Sequence, residues 1–229
     1  MSFPDYEVLI DPIEEKIIML KDINNLLKIN SDSNYYIDEG IFGYGFEIEV
    51  SAKVQRTHFT FLKTMLNNIL TVINYRGNFV SDRTIVGDYG FEICLDPLNL
   101  EDSLETYYKI REIIEFSSGI LNVKSENACG LHINIKADER IKSEKFLQVQ
   151  ELIDINDTNT FYFNEYKRKI DKEDYDTYID FQRNIAGKYL AVNLLKENII
   201  ELRCINPEIE EPYLRKLLEK IDTIFQGEK

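Results

Sequence analysis

Gly45-Phe46-Glu47-Ile48-Glu49-Val50 alternates apolar and acidic side chains. Successive side chains of a strand point to opposite faces, so Phe46, Ile48 and Val50 share one face and Glu47 and Glu49 the other, roughly 7 Å apart. The same split recurs three times. Phe91, Ile93 and Leu95 oppose Glu92 in Gly90-Phe91-Glu92-Ile93-Cys94-Leu95, and Leu131, Ile133 and Ile135 oppose His132 and Asn134. Ile200 and Leu202 oppose Glu201 and Arg203. Any one of these strands reads as a half-buried antiparallel strand with its polar side to water. Together they ask for more. Glutamate is depleted in strands and like charges on neighbouring strands repel, so a bound cation would explain the choice. Carboxylates with one imidazole and no thiolate suit magnesium or manganese better than zinc. The candidate metal ligands are therefore Glu47, Glu49, Glu92, His132 and Glu201, whereas His58, in a predicted helix, receives no role.

Outward from these strands, helices lie between hairpins. Asp11, Pro12 and Glu14 read as the start of a helix carrying Ile13, Ile17, Leu20 and Leu27. Residues 57–74 read as a second helix, and Gly77 opens a strand whose hairpin partner spans 88–95 and closes at Asp96-Pro97. Asn99 is placed to cap a helix bearing Leu104, Tyr107, Ile110 and Ile114. A strand over 129–137, a helix over 143–153 and a charged, Tyr-rich stretch over 154–184 follow. Strands over 189–195 and 199–205 pair across a turn at Lys196-Glu197-Asn198, and a last helix carries Leu214, Leu217, Leu218 and Ile221. Hairpins demand antiparallel pairing, so the pattern favours α+β over a doubly wound parallel sheet. No internal repeat or low-complexity linker divides the chain, and one domain over 1–229 is the expectation.

The 229 residues are 44% hydrophobic, enough for one full-sized core. The net charge of -14 disfavours binding to a phosphate backbone, so no nucleic-acid partner is expected. Three scattered cysteines, Cys94, Cys129 and Cys204, argue against a disulfide framework and for a reducing compartment. The opening residues lack the basic start and apolar stretch of a secretory leader, and no apolar run approaches membrane-spanning length. The expectation is a cytoplasmic protein with no membrane partner, from an AT-rich bacterial or viral genome, as its Ile, Asn and Lys content suggests.

The segments above, in their order, resemble the amidoligase family, small carboxylate–amine ligases related to glutamine synthetase and glutamate–cysteine ligase. The resemblance rests on Gly45–Val50, on Ser81-Asp82-Arg83-Thr84 followed by the Glu92 strand, and on Cys129-Gly130-Leu131-His132-Ile133-Asn134. Tyr189-Leu190-Ala191-Val192-Asn193 and Ile200-Glu201-Leu202-Arg203 complete it, so the matching motifs span 43–205. It implies a curved, mainly antiparallel sheet with helices on one face, like the catalytic domain of glutamine synthetase. It also implies a subsite of Glu47, His132 and Glu201 and a second of Glu49 and Glu92. ATP would be the co-substrate, and Arg203 would touch the transferring phosphate. Catalytic roles then fall to Glu47, Glu201 and Arg203, and ATP contacts to Arg203, Lys188 and Asn193. Lys188 and Arg183 are commoner as solvated basic side chains.

The implied reaction joins a small-molecule or peptide carboxylate to an amine through an acyl phosphate, and an oligomer is compatible with it. No Gly-x-x-x-x-Gly-Lys-Ser/Thr loop is present, which argues against a P-loop kinase. Cys129 has no base suggested beside it and reads as a packing residue. The family segment usually ends His-x-His where this chain has Asn134, and Arg83-Thr84 stand in the Asp-Gly-Ser-like segment. These departures favour the alternative, a phage-encoded binding or structural protein that keeps the fold without the chemistry. A guanidino kinase on a similar sheet is a weaker third option.

Overall fold

A computed structural model describes residues 42–53, 64, 77–82, 84–85, 89–116, 121–123, 129–153, 175–184 and 190–227. The helices predicted from Asp11 and over 57–74 lie outside these residues, Thr64 apart, as do Lys188, His58 and Arg83. The strands are β1 (Gly43–Ala52), β2 (Gly77–Ser81), β3 (Tyr89–Leu98), β4 (Leu121–Asn122), β5 (Leu131–Lys136), β6 (Val192–Asn193) and β7 (Ile199–Ile205). The helices are α1 (Leu100–Phe116), α2 (Glu139–Leu152), α3 (Tyr175–Asn184) and α4 (Glu211–Gln226). The fold is α+β. Six strands run in the order β2-β3-β1-β5-β7-β6, β4 pairs with the end of β1, and every pairing is antiparallel.

The register explains why the core lies on one face. Phe46 stands opposite Leu95 on one side and Ile133 on the other, and Ile48 opposite Ile93 and Leu131. Ile133 in turn faces Leu202. Apolar residues thus cross the sheet in rows, all of them buried, each such side chain contributing roughly 1.5–3 kcal/mol when removed from water. The helices supply the facing layer. Leu104, Tyr107, Ile110 and Ile114 recur at helical spacing on α1 and are buried, as are Leu214, Leu217, Leu218 and Ile221 on α4. Two polar side chains tie these helices to β1: Ser103 donates from Oγ to the Tyr44 carbonyl at 2.7 Å, and Tyr44 donates from its hydroxyl to the Leu218 carbonyl at 3.1 Å.

The helix starts follow their caps. Asn99 Oδ1 accepts the Asp102 N–H at 3.0 Å, as predicted for α1. α2 begins at Glu139, four residues before the predicted start, because Asp138 Oδ1 accepts the Ile141 N–H at 2.9 Å and caps it there. Within the Tyr-rich stretch, the described part from Tyr175 is helical. α4 ends at Gly227, whose φ of 83° leaves the helix by a conformation glycine adopts without strain.

Two irregularities shape the strands. β3 continues through Asp96-Pro97 to Leu98 instead of closing there, because an extra residue is accommodated as a bulge between the pairs Phe46–Leu95 and Tyr44–Leu98. A bulge tolerates the absence of the N–H that proline lacks. A Cβ on Gly45 would stand 2.5 Å from the Leu95 carbonyl oxygen, so the backbones approach too closely there for any side chain. In β7 a second shift, between Ile133–Leu202 and Leu131–Ile205, sets Arg203 and Cys204 together against one residue of β5. The predicted hairpin of 189–195 with 199–205 narrows to a two-residue β6. Its turn falls at Lys196-Glu197-Asn198 as expected, with Asn198 at φ 53°.

Candidate metal centre

The face opposite the core gathers the polar residues of β1, β3, β5, β6 and β7. Glu47 lies directly between Cys94 on β3 and His132 on β5; Glu49 lies opposite Glu92; Glu201 lies between Asn134 and Asn193. Alternation alone therefore brings Glu47, Glu49, Glu92, His132 and Glu201 into one neighbourhood.

They form two clusters. Ligating atoms of Glu47, His132 and Glu201 all lie within 4.8 Å of one another, and so do those of Glu49, Asp82 and Glu92. His132 joins the two: its Nδ1 is 3.2 Å from Glu47 Oε2 and 3.6 Å from Glu201 Oε1, and its Nε2 is 3.5 Å from Glu49 Oε1. A neutral imidazole donates from one nitrogen only. The ring can thus ligate a cation through Nδ1 while donating from Nε2 to Glu49, the arrangement by which metal-bound histidines are commonly oriented.

Gly130 makes room for this. It precedes β5, and a Cβ there would stand 2.8 Å from Glu49 Oε2 and 3.6 Å from His132 Nε2. The Glu49 N–H donates to the Gly130 carbonyl at 3.0 Å, which holds the two backbones at that approach.

Glu201 is almost wholly buried, with a side chain 2% exposed. A charge so placed needs partners. Asn193 donates from Nδ2 to its Oε2 at 2.5 Å, Lys196 donates from Nζ to its Oε1 at 2.9 Å, and Arg203 Nε lies 3.9 Å from Oε1. Asn193 Oδ1 meanwhile accepts the Leu195 N–H at 3.0 Å. The Asn193 amide thereby holds Glu201 at one end and the chain after β6 at the other. Glu47 Oε1 accepts from Asn134 Nδ2 at 3.0 Å and from Lys196 Nζ. Burial pushes the Glu47 carboxyl up, but the hydrogen bonds from His132, Lys196 and Asn134 outweigh it and hold the group well below the usual carboxylate range.

The second cluster behaves in the opposite way. Burial, followed by the charge of Glu47, with smaller repulsion from Glu49 and Asp82, pushes the Glu92 carboxyl up to about 7, against the opposing influence of His132. Asp82 is the ligand candidate that residue patterning missed. Its Oδ1 accepts the Thr84 N–H at 2.7 Å and the Thr84 hydroxyl at 2.8 Å, and its N–H bonds the Gly90 carbonyl at 3.0 Å, which aligns it with β3 two residues from Glu92. The available signal was parity, since Val80 pairs with Glu92 and Asp82 follows Val80 by two positions.

Lys196, read as a turn residue, reaches from the β6–β7 turn into the first cluster. Arg203, on the site face, has a buried Nε without a hydrogen-bond partner. Cys129 is buried, and burial with the Glu49 charge raises its thiol to about 12 despite a hydrogen bond from the Ser51 backbone, in keeping with packing rather than nucleophilic chemistry. All three cysteines are free. Among the described residues no helix is long and apolar enough to cross a membrane. Arg183 is exposed and pairs with Asp180 at 3.5 Å. It borders an open pocket of about 520 Å³ that Lys142, Tyr175, Ile179, Leu194 and Lys196 also line.

No protein-family model and no curated protein matches the chain.

Proposed function

We propose that the protein is an ATP-dependent carboxylate–amine ligase of the amidoligase kind, acting on a sheet like the catalytic domain of glutamine synthetase. The observation that carries this reading is the convergence of five carboxylates and one imidazole into two adjoining clusters on the polar face of an antiparallel sheet. The donor set fits hard divalent cations: oxygen ligands dominate, one imidazole joins them, and no thiol takes part. Glu47, His132 and Glu201 would hold one magnesium or manganese ion, and Glu49, Asp82 and Glu92 a second. When bound, such ions neutralise phosphate charge and allow an acidic surface to accept a triphosphate.

The chemistry needed is activation of a carboxylate, since amide formation is uphill in water. The substrate carboxylate oxygen attacks the γ-phosphorus of ATP, the bond to the β–γ bridging oxygen breaks, and ADP leaves. The amine then attacks the acyl carbon, loses a proton and displaces inorganic phosphate. Arg203, on the site face beside Glu201, would stabilise charge on the transferring phosphoryl group. Asn134 and Asn193 orient Glu47 and Glu201. The substrate, an amino acid or short peptide in this reading, would enter from the open pocket bordered by Arg183 and Lys196. An ATP-consuming ligase of this kind belongs in the cytoplasm.

The test is magnesium-dependent ATP turnover with candidate carboxylates and amines, amide formation being followed by mass spectrometry. Glu47→Gln and Glu201→Gln should each reduce turnover by at least about 10³-fold while the fold persists, as expected when several kcal/mol of charge stabilisation is removed. A fully active Glu47→Gln protein sinks the assignment. One observation favours the second reading, a fold-retaining binding or structural protein: the Lys196 ammonium already sits between Glu47 and Glu201. Calorimetric titration with magnesium and an ATP analogue separates the two, because an intact protein that binds neither is not the ligase.

A further inference from the structure

The backbone around Lys196 is clamped from outside the sheet while its side chain points inward. Lys142, itself 2% exposed, donates from Nζ to the Lys196 carbonyl at 2.8 Å and to Glu139 Oε1 at 2.9 Å. Glu139 Oε1 also accepts the Asn198 N–H at 2.9 Å, and its Oε2 accepts the Tyr175 hydroxyl at 2.9 Å. The Ala137 N–H bonds the Asn198 carbonyl at 2.9 Å. From this fixed base the Lys196 ammonium donates to Glu47 Oε1, to Glu201 Oε1 at 2.9 Å and to Asn134 Oδ1 at 3.3 Å. An ammonium has three protons to give, so these contacts use them all.

Two of the three acceptors belong to the first cluster. A divalent ion bound by Glu47, His132 and Glu201 needs the same carboxylates. The remaining Glu201 oxygen takes the Asn193 amide, and the remaining Glu47 oxygen faces His132. Lysine and metal therefore draw on the same carboxylate charge, and two cations crowded against it repel each other. Lys196 also has somewhere to go: its side chain is 37% exposed and lines the open pocket between the β6–β7 turn and α3. Four single bonds of stem let the ammonium swing outward while the clamped backbone stays in place.

We propose that Lys196 is a tethered cation that competes with divalent metal for the Glu47–His132–Glu201 subsite and withdraws into the neighbouring pocket when metal enters. The proposal rests on the metal reading above and adds its regulation. A tethered competitor acts at high effective concentration. If the inward position is populated about 90–99% of the time, apparent metal affinity is reduced by about 10–100-fold.

The experiment measures Mn²⁺ binding by calorimetry and by the paramagnetic resonance signal of free Mn²⁺, at one fixed pH. It compares the natural chain with Lys196→Met and Lys196→Gln, the glutamine keeping a hydrogen-bond donor without the charge. Circular dichroism checks the fold. In the natural chain, acylation of Lys196 by an amine-reactive reagent is followed by mass spectrometry with and without Mn²⁺. Both variants should bind one Mn²⁺ about 10–100-fold more tightly than the natural chain, and Mn²⁺ should accelerate Lys196 acylation severalfold. If the natural chain binds Mn²⁺ and the variants bind it equally or more weakly, competition is refuted and the metal reading survives. If only the variants bind, competition holds and the ligase reading fails. If none binds, both fall. Should neither variant fold, acylation in the natural chain decides: an unchanged rate at saturating Mn²⁺ refutes the withdrawal.

Discussion

Replacing Gly130 by alanine tests the second cluster with little disturbance to the fold. The new Cβ would stand 2.8 Å from Glu49 Oε2, whereas carbon and oxygen ordinarily meet at about 3.3 Å. The gap of about 0.5 Å must be opened by one partner. The backbones cannot separate cheaply, because the Glu49 N–H bonds the Gly130 carbonyl at 3.0 Å. The Glu49 carboxylate, at the end of a flexible side chain, moves instead. Metal–ligand distances tolerate only about 0.2 Å, so the displaced oxygen leaves its ligating position. Losing such an orienting constraint costs about 10–100-fold in metal affinity, or about 1.4–2.8 kcal/mol. Stability should hardly change, since alanine at a glycine without a left-handed φ stabilises by about 0.4–1 kcal/mol through the unfolded chain's entropy, offsetting the carboxylate's shift. Mn²⁺ titration beside thermal melting of Gly130→Ala separates the two effects. Unaltered affinity in a folded Gly130→Ala protein would show that Glu49 is not a ligand in this position.

Two more outcomes follow from the same geometry. Because the Glu92 carboxyl is raised to about 7, the folded state is favoured while that group is protonated, and its contribution is lost as pH climbs from the unfolded value of 4.5 through about 7. The urea midpoint should accordingly fall across this window by the equivalent of about 1–2 kcal/mol, allowing for solvent screening of a half-buried group, and saturating magnesium should restore it mainly at the upper end; a midpoint that rises with pH there contradicts the repulsion assigned to the second cluster. Lys142→Met removes the donor that holds the Lys196 carbonyl and should cost about 1–3 kcal/mol in chemical denaturation, whereas an unchanged midpoint would mean that the turn does not depend on this clamp.

The sequence disclosed the site better than it disclosed the strand ends. Strict alternation in β1, β3, β5 and β7 is a period-two signal, and it located Glu47, Glu49, Glu92, His132 and Glu201 on one face because pairing register follows the buried face. Asp82 escaped because it lies just past the end of β2, where alternation has no further residues to mark it. Lys196 escaped for a different reason. A lysine side chain reaching back across its own hairpin leaves no periodic trace, and a lysine in a turn ordinarily means solvent. The extension of β3 beyond Pro97 and the narrowing of β6 depend on bulge and pairing geometry with distant strands, which local composition does not encode. The early start of α2 was legible in Asp138, whose spacing to Ile141 is that of a cap.

β1 sends Glu47 to one cluster and Glu49 to the other, with a single residue, Ile48, between them. The distance between the two candidate cation subsites is consequently gauged by covalent backbone, at about 3.4 Å per residue, and not by adjustable packing. Substitutions around the neighbouring pocket leave that separation untouched, because it is inherited from a strand whose other side is locked into the core by Phe46, Ile48 and Val50. The surroundings of such a frame can drift while the spacing of its two groups of negative charge stays constant.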